Sequence, residues 1–187
     1  MESTIKYIFE AGMLKRVARS GWWTESINHP ESVADHTFRT AIIAFILAKM
    51  EGFDDERANK ICTAAVFHDI HEARLSDLHK IASFYVKDKE KIEKEIEKDQ
   101  IRKIEPKLAQ AIVRVFGLKG KELDVLKDAD YLECAFQAKE YSDIGYDTSK
   151  WIDNAQKKLT TKSAKELIKK LKSMKSGQWR DELRKSV

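Results

Sequence analysis

Apolar residues recur along this chain at intervals of three and four, the spacing that gathers them on one side of an α-helix. No stretch alternates polar and apolar residues as a half-buried strand would. Ile5, Ile8, Phe9, Gly12, Leu14 and Val17 predict a first helix over about 3–17, with those positions turned inward. A loop rich in Trp, Asn and Pro follows at 21–31. Ser32, with Asp35 three residues on, predicts an N-cap and capping box for a helix running to about Met50. Asp54 or Asp55 caps a third helix, which runs to about 68–72. Beyond an irregular stretch at 74–80, residues 88–103 form a Lys/Glu-rich helix with a thin stripe of Ile92, Ile96 and Ile101. Its Glu90/Lys94 and Lys91/Glu95 pairs stand at i,i+4. Pro106 opens another helix, with Gly117 expected in the left-handed position at its end. The longest periodic segment, 121–144, is closed by Gly145, and helices over 149–159 and 163–176 finish the chain. The expectation is one compact all-α domain over 1–187.

Composition narrows the class. With 7 Gly and 2 Pro the chain lacks the closely spaced turns of an all-β fold. Eight Phe and four Trp among 187 residues exclude a disordered polymer and suffice for a core. The longest apolar candidate, Thr40 to Ala48, is nine residues, half of the ~18 a membrane span needs. The N-terminal MESTIKYIFE carries acids and does not read as a signal peptide. Cys62 and Cys134 fall in apolar helical settings and read as small buried hydrophobes of a reducing compartment, so a cytoplasmic address is expected.

The net charge of +4 is unevenly spread. Residues 157–187 carry eleven Lys/Arg against three Asp/Glu, a net +8 that leaves −4 for the rest. These lysines interleave with Leu159, Ala164, Leu167, Ile168, Leu171 and Met174 at helical spacing, which favours a solvated helix face over a nucleic-acid surface.

Three places put metal-type ligands inside helices, where leaving a charge unsolvated is costly. His36 shares a face with Val33, Thr40, Ile43 and Leu47 and therefore points inward. His68-Asp69 follows directly on the apolar run ending in Val66-Phe67. In Lys127-Asp128-Ala129-Asp130, one aspartate must face Leu126, Ala129 and Cys134 and needs a cation there. A helical His by itself is most often a hydrogen-bonded core residue. Two His and two Asp on three helices, all inward, instead make an oxygen/nitrogen set for a divalent ion with open positions for water and a phosphate oxygen. His29 and His79 read as solvated loop residues, and His71 as a residue at the edge of this set or on the surface. Trp23 is expected to pack its loop onto the core, and Trp151 and Trp179 to serve ordinary helix packing.

The set His36…His68-Asp69…Asp130 resembles the H…HD…D signature of the HD-domain metal-dependent phosphohydrolases. PESVADH, HDIHEARLSDL and KDADYLE are similar to the YfbR-like 5′-deoxynucleotidases and the related HD-domain-containing protein 2 group, over about residues 5–155. The resemblance implies that His36, His68, Asp69 and Asp130 ligate one divalent ion, with Mg, Mn, Co, Ni and Zn all open. It implies Glu72 as the catalytic acid, Asp77 as the group recognising the 3′-hydroxyl, and Trp22 as a wall against a 2′-hydroxyl. The YfbR pattern has Arg immediately before that Trp where this chain has Gly21, which leaves Arg19 as the nearest candidate for the phosphate. Glu72 lies four residues past His68, on the same face if the helix continues.

The reaction implied is metal-dependent hydrolysis of deoxyribonucleoside 5′-monophosphates to deoxynucleoside and phosphate, by a homodimer. Two alternatives stay open. One is another HD phosphohydrolase acting on a dNTP, a cyclic nucleotide or an alarmone, for which Arg39 and Arg74 are the available extra cations. The other is a non-catalytic helical dimer that binds nucleic acid through 157–187.

Overall fold

The computed structural model describes residues 1–185, which form helices joined by short turns. In order these are α1 (Glu2–Ala11), α2 (Val33–Met50), α3 (Asp55–Phe67), α4 (Glu72–Leu75), α5 (Lys80–Ser83), α6 (Lys89–Ile101), α7 (Pro106–Val115), α8 (Lys121–Asp143), α9 (Ser149–Lys158), α10 (Lys162–Leu171) and α11 (Gln178–Lys185). Tight 3-10 turns occupy Gly12–Lys15 and Ser20–Glu25. Among the described residues the sole extended pairing is an isolated bridge between Ala18 and Ser32, and no helix is long and apolar enough to cross a membrane.

The helix starts follow local chemistry. The Ser32 hydroxyl accepts from the Asp35 N–H at 3.1 Å while Asp35 accepts from the Ser32 N–H at 2.9 Å, so two end donors of α2 are satisfied reciprocally. Asp54 accepts from the Arg57 N–H at 2.8 Å at the start of α3, and Pro106 occupies the first turn of α7. Gly145 follows α8 with φ of 107°, a backbone that only glycine adopts without strain.

Packing is organised around α2 and α8, which contact each other and α3, while α9 and α10 lie against α8. Leu47, Ile61, Val125, Leu132 and Ile168 are fully buried where these helices meet. A smaller cluster holds Tyr7, Leu14, Val33, Ile70, Ile104 and Ile112. His36, one turn beyond Val33 on α2, is fully buried. The amphipathic reading of the basic segment holds for α10, whose Ala164, Ile168 and Leu171 are buried while its lysines face solvent.

Several expectations need correction. The first helix stops at Ala11, and the switch to about three residues per turn at Gly12 takes Leu14 off the face of Ile5 and Ile8. Leu14 is buried, whereas Ile5, Ile8 and Phe9 are 47%, 64% and 76% exposed. Gly117 is not left-handed: its N–H returns to the Arg114 carbonyl at 3.2 Å, a turn that needs no positive φ, and the nearest positive φ falls at Gly120, the N-cap of α8. The regular ladder of α3 ends at Phe67, and residues 68–71 wind on through three-residue turns before α4. The last expected helix ends at Leu171. Asp143 captures the Ser176 N–H at 2.6 Å, and a separate α11 begins at Gln178. Trp23 does not pack the loop onto the core; it is 54% exposed and Trp22 is buried in its stead.

Candidate metal centre and substrate cavity

The first turn of α2 supplies His36, the segment just beyond α3 supplies His68 and Asp69, and α8 supplies Asp130. The fold brings all four together. His36 Nε2 lies 3.2 Å from Asp130 Oδ1 and 3.6 Å from Asp69 Oδ2. His68 Nε2 lies 3.1 Å from the same Asp69 oxygen. Ligand atoms of His36, His68 and Asp130 all fall within 4.8 Å of one another.

Both imidazoles are oriented from behind. His36 Nδ1 stands 2.5 Å from Glu133 Oε2, and the other Glu133 oxygen accepts from Arg39 Nε at 2.9 Å. Arg39 is itself held by Glu140 and Gln137. His68 Nδ1 donates to the Ala65 carbonyl at 2.6 Å, which leaves Nε2 facing the carboxylates. That Nε2 is buried without an aligned hydrogen-bond partner. Two imidazole nitrogens and two carboxylates converge, and each ring is fixed by an outer acceptor, so the set fits a divalent cation of the first transition row or Mg.

The charges follow from this packing. Burial and the nearby Arg19 push His36 down, but hydrogen bonds to Asp130 and Glu133 outweigh them and carry it up to about 10. Burial likewise opposes a charged His68, and Asp69 reverses it so that the group titrates above its ordinary value. Asp69 and Asp130 both titrate below the usual carboxylate range, because the two histidines outweigh the cost of burial.

Glu72 is buried at the start of α4, with ligand atoms of Asp69 and His71 within 4.8 Å. Because the chain turns more tightly after Phe67, Glu72 groups with Asp69 rather than continuing the α3 ladder above His68. Burial first, then the charges of Asp69 and Asp77, raise its carboxyl to about 9, and Oε2 has no partner. Asp77 is clamped by Ser20, whose N–H and hydroxyl donate to Oδ2 at 2.6 and 2.8 Å. Asp77 Oδ1 receives Arg19 Nη1 at 3.3 Å, and the same Nη1 lies 3.8 Å from Asp69 Oδ2. Arg19 thus connects the ligand cluster to Asp77.

Beside them opens a cavity of about 150 Å³ lined by Arg19, Gly21, Trp22, Asp77, Cys134 and Trp151, among others. Trp22 donates from Nε1 to Glu31 at 3.1 Å and meets the edge of Tyr141. Cys134, read above as a core hydrophobe, also accepts from Arg19 Nη2 at 3.4 Å, and burial lifts its thiol to about 12.

Some participants were missed in the sequence. Glu133 lies three residues past Asp130, hence one turn along the same face of α8, a spacing that could have revealed it. Arg39, the extra cation expected for a larger substrate, is instead the partner of Glu133. Trp151 lines the cavity, and no local pattern signals that. His71 is buried, with its ring nitrogens 3.6 and 3.5 Å from Glu93 and Glu97 of α6. His29 is exposed, and His79 accepts from the Ala82 N–H at the start of α5.

Comparison with known proteins agrees with this geometry. Human 5′-deoxynucleotidase HDDC2 is 28% identical over 148 residues, covering 76% of this chain and 70% of that protein. The Dictyostelium discoideum 5′-deoxynucleotidase HDDC2 is 32% identical over 155 residues, covering 75% and 78%. A cyanophage S-2L HD phosphohydrolase, solved with dA and one catalytic Zn²⁺, shares the fold at a TM-score of 0.58 and 15% identity, covering 88% of this chain and 94% of that one. The sequence profile of the HD domain matches residues 11–175, and with its two histidines and two aspartates gathered from three helical segments this chain belongs to the HD-domain family.

Proposed function

We propose that the protein is a metal-dependent 5′-deoxynucleotidase that hydrolyses deoxyribonucleoside 5′-monophosphates to deoxynucleoside and phosphate. One observation carries the reading: a His/Asp cluster in which His36 Nε2 and His68 Nε2 both face carboxylate oxygens lies beside a small cavity walled by Trp22 and Asp77. His36, His68, Asp69 and Asp130 would hold one divalent ion, with Mn, Co, Mg, Ni and Zn all compatible with the donor set. When bound, such an ion polarises the phosphate and makes water a better nucleophile near neutral pH. Glu72, whose carboxyl is pushed up by burial and by the charges of Asp69 and Asp77, is the group to deliver a proton to the departing 5′-oxygen. Asp77, fixed through Oδ2 by Ser20 and met at Oδ1 by Arg19, has a lone pair left on Oδ1 for a sugar hydroxyl. Arg19 supplies the guanidinium that meets the phosphate charge. Trp22, buried and hydrogen-bonded through its indole, leaves little room for a 2′-hydroxyl.

The size of the site and its spare cations favour a monophosphate over larger substrates. The cavity is about half the ~300 Å³ at which pockets for whole drug-sized ligands begin, which suits a sugar rather than a polyphosphate chain. The two arginines a longer phosphate chain would need do not line the cavity and are held by acids elsewhere. Arg39 is bound to Glu133 and Glu140, and Arg74 to Glu10 and Asp99.

A second copy of the chain is the proposed partner. Ile8, Phe38, Ile42, Phe45, Ile46 and Val66 line an open groove of about 760 Å³ on α1, α2 and α3, with Lys15 its one charged lining residue. Phe38 is 71% exposed on that face, and a surface carrying both a groove and a projecting ring can pair with itself about a two-fold axis. The free thiols of Cys62 and Cys134 accord with the proposed cytoplasmic address.

The test is phosphate release from dNMPs, NMPs, dNTPs and an aryl phosphate by chelator-stripped protein given Mg, Mn or Co. Metal-dependent release from dNMPs, with NMPs and dNTPs much slower, is expected; preference for dNTPs, or no release from any of them, overturns the reading. Sedimentation over a range of concentrations tests the dimer, and a Phe38→Glu variant should be monomeric.

A further inference from the structure

Trp151 lies on α9, more than a hundred residues from the loop that carries Trp22, yet the two rings stack with centroids 4.4 Å apart and planes 35° from parallel. The indole is locked in that pose because Nε1 donates to Glu25 Oε1 at 2.8 Å. Its far edge takes up the space in front of residue 21. A Cβ built on Gly21 would meet Trp151 Cη2 at 2.7 Å, closer than non-bonded carbons approach. Gly21 has no left-handed backbone, so the ring and not the dihedral is what demands glycine here. Both residues line the 150 Å³ cavity, together with Asp77 and Arg19.

We infer that Trp151 is a specificity-determining residue of the substrate cavity. Its ring closes the wall behind Trp22, sets the width available to the sugar, and does so only because residue 21 lacks a side chain. The inference rests on the deoxynucleotidase reading and adds a residue to it. The physical argument is one of volume. Trp22 is held by a hydrogen bond to Glu31, by the Tyr141 edge and by the Trp151 face, and removing that face leaves a void as large as an indole beside the sugar. A 2′-hydroxyl and a water could then enter where a dry aromatic surface excludes them. The guanidinium of Arg19, which donates to Cys134 on α8, would keep its place, since none of its partners involves α9.

The experiment compares wild type, Trp151→Leu, Trp151→Phe, Gly21→Ala and the Gly21→Ala/Trp151→Leu double variant. Each is assayed for kcat/KM on a matched dNMP and NMP and for Mn²⁺ bound per chain. Expected results are a deoxy-to-ribo ratio at least tenfold lower for Trp151→Leu with bound Mn²⁺ unchanged, a smaller loss for Trp151→Phe, and a loss for Gly21→Ala. The double variant should be no worse than Trp151→Leu, because the clash exists only while the indole is present. Wild type that releases no phosphate from dNMPs overturns the deoxynucleotidase reading and this inference with it. Wild type that does so, while Trp151→Leu keeps the ratio within twofold, overturns the role of Trp151 alone. Trp151→Leu decides the matter even if Gly21→Ala fails to fold.

Discussion

Asp128 and Asp130 stand two residues apart on α8, the first fully buried and the second half-buried, and the molecule satisfies them by opposite means. Asp128 is fully buried and accepts from the N–H groups and hydroxyls of both Thr160 and Thr161, at 2.6 to 3.2 Å. Neutral donors on a fixed backbone meet its charge, and in doing so they anchor the turn that leads into α10. Asp130 has no such donors. It faces His36 at 3.2 Å, and what meets its charge is an ionisable ring that can exchange a proton for a metal. A buried carboxylate is therefore not by itself a sign of chemistry. The sign is that its partners are themselves exchangeable, and the two positions on the same helical turn separate a structural acid from a candidate ligand.

Asp130→Asn should produce the largest effect, a loss of at least ~10³ in turnover together with loss of tight metal binding, since one of two anionic ligands becomes a neutral amide. Metal content by elemental analysis and single-turnover phosphate release measure both. Glu72→Gln should come next, with turnover down by ~10²–10⁴ and bound metal retained, because a proton donor is removed without touching the ligand set. Unaltered turnover there would assign the proton to another group. Glu133→Gln should weaken metal affinity by ~10–100-fold, read by competition against a chelating dye, because the acceptor that orients His36 loses its charge. Asp128→Asn should have the least effect at the centre and act on the fold: its amide N–H₂ would confront the Thr160 and Thr161 donors, at a cost of about 2 kcal/mol in chemical denaturation. If Asp128→Asn lost metal as readily as Asp130→Asn, the separation between the two acids would collapse.

A second contrast divides α1 from α10. Both are amphipathic in sequence, but the stripe of α10 is buried against α2, α8 and α9, while that of α1 lies open beside the groove. Periodicity specifies that a helix has an apolar face and is silent about which surface covers it. The expectation that Ile5 and Ile8 point inward failed for that reason, and Trp23 failed likewise, since either of two adjacent tryptophans in an irregular loop could have been the buried one.

The sequence alone determined the helical class, the caps at Ser32 and Asp54, the start of α7 at Pro106 and the four candidate ligands. Each of these depends on residues close in the chain, or on a residue type whose burial has few physical solutions. Tertiary structure alone decided that Glu133 stands behind His36. It also paired Arg39 with Glu133, bound Asp77 to Ser20, and placed Trp151 against Gly21. These are contacts across 57 to 130 residues, chosen by how helices pack and not by any local preference. A pattern can state that a side chain must be satisfied indoors; only the packed chain states by what.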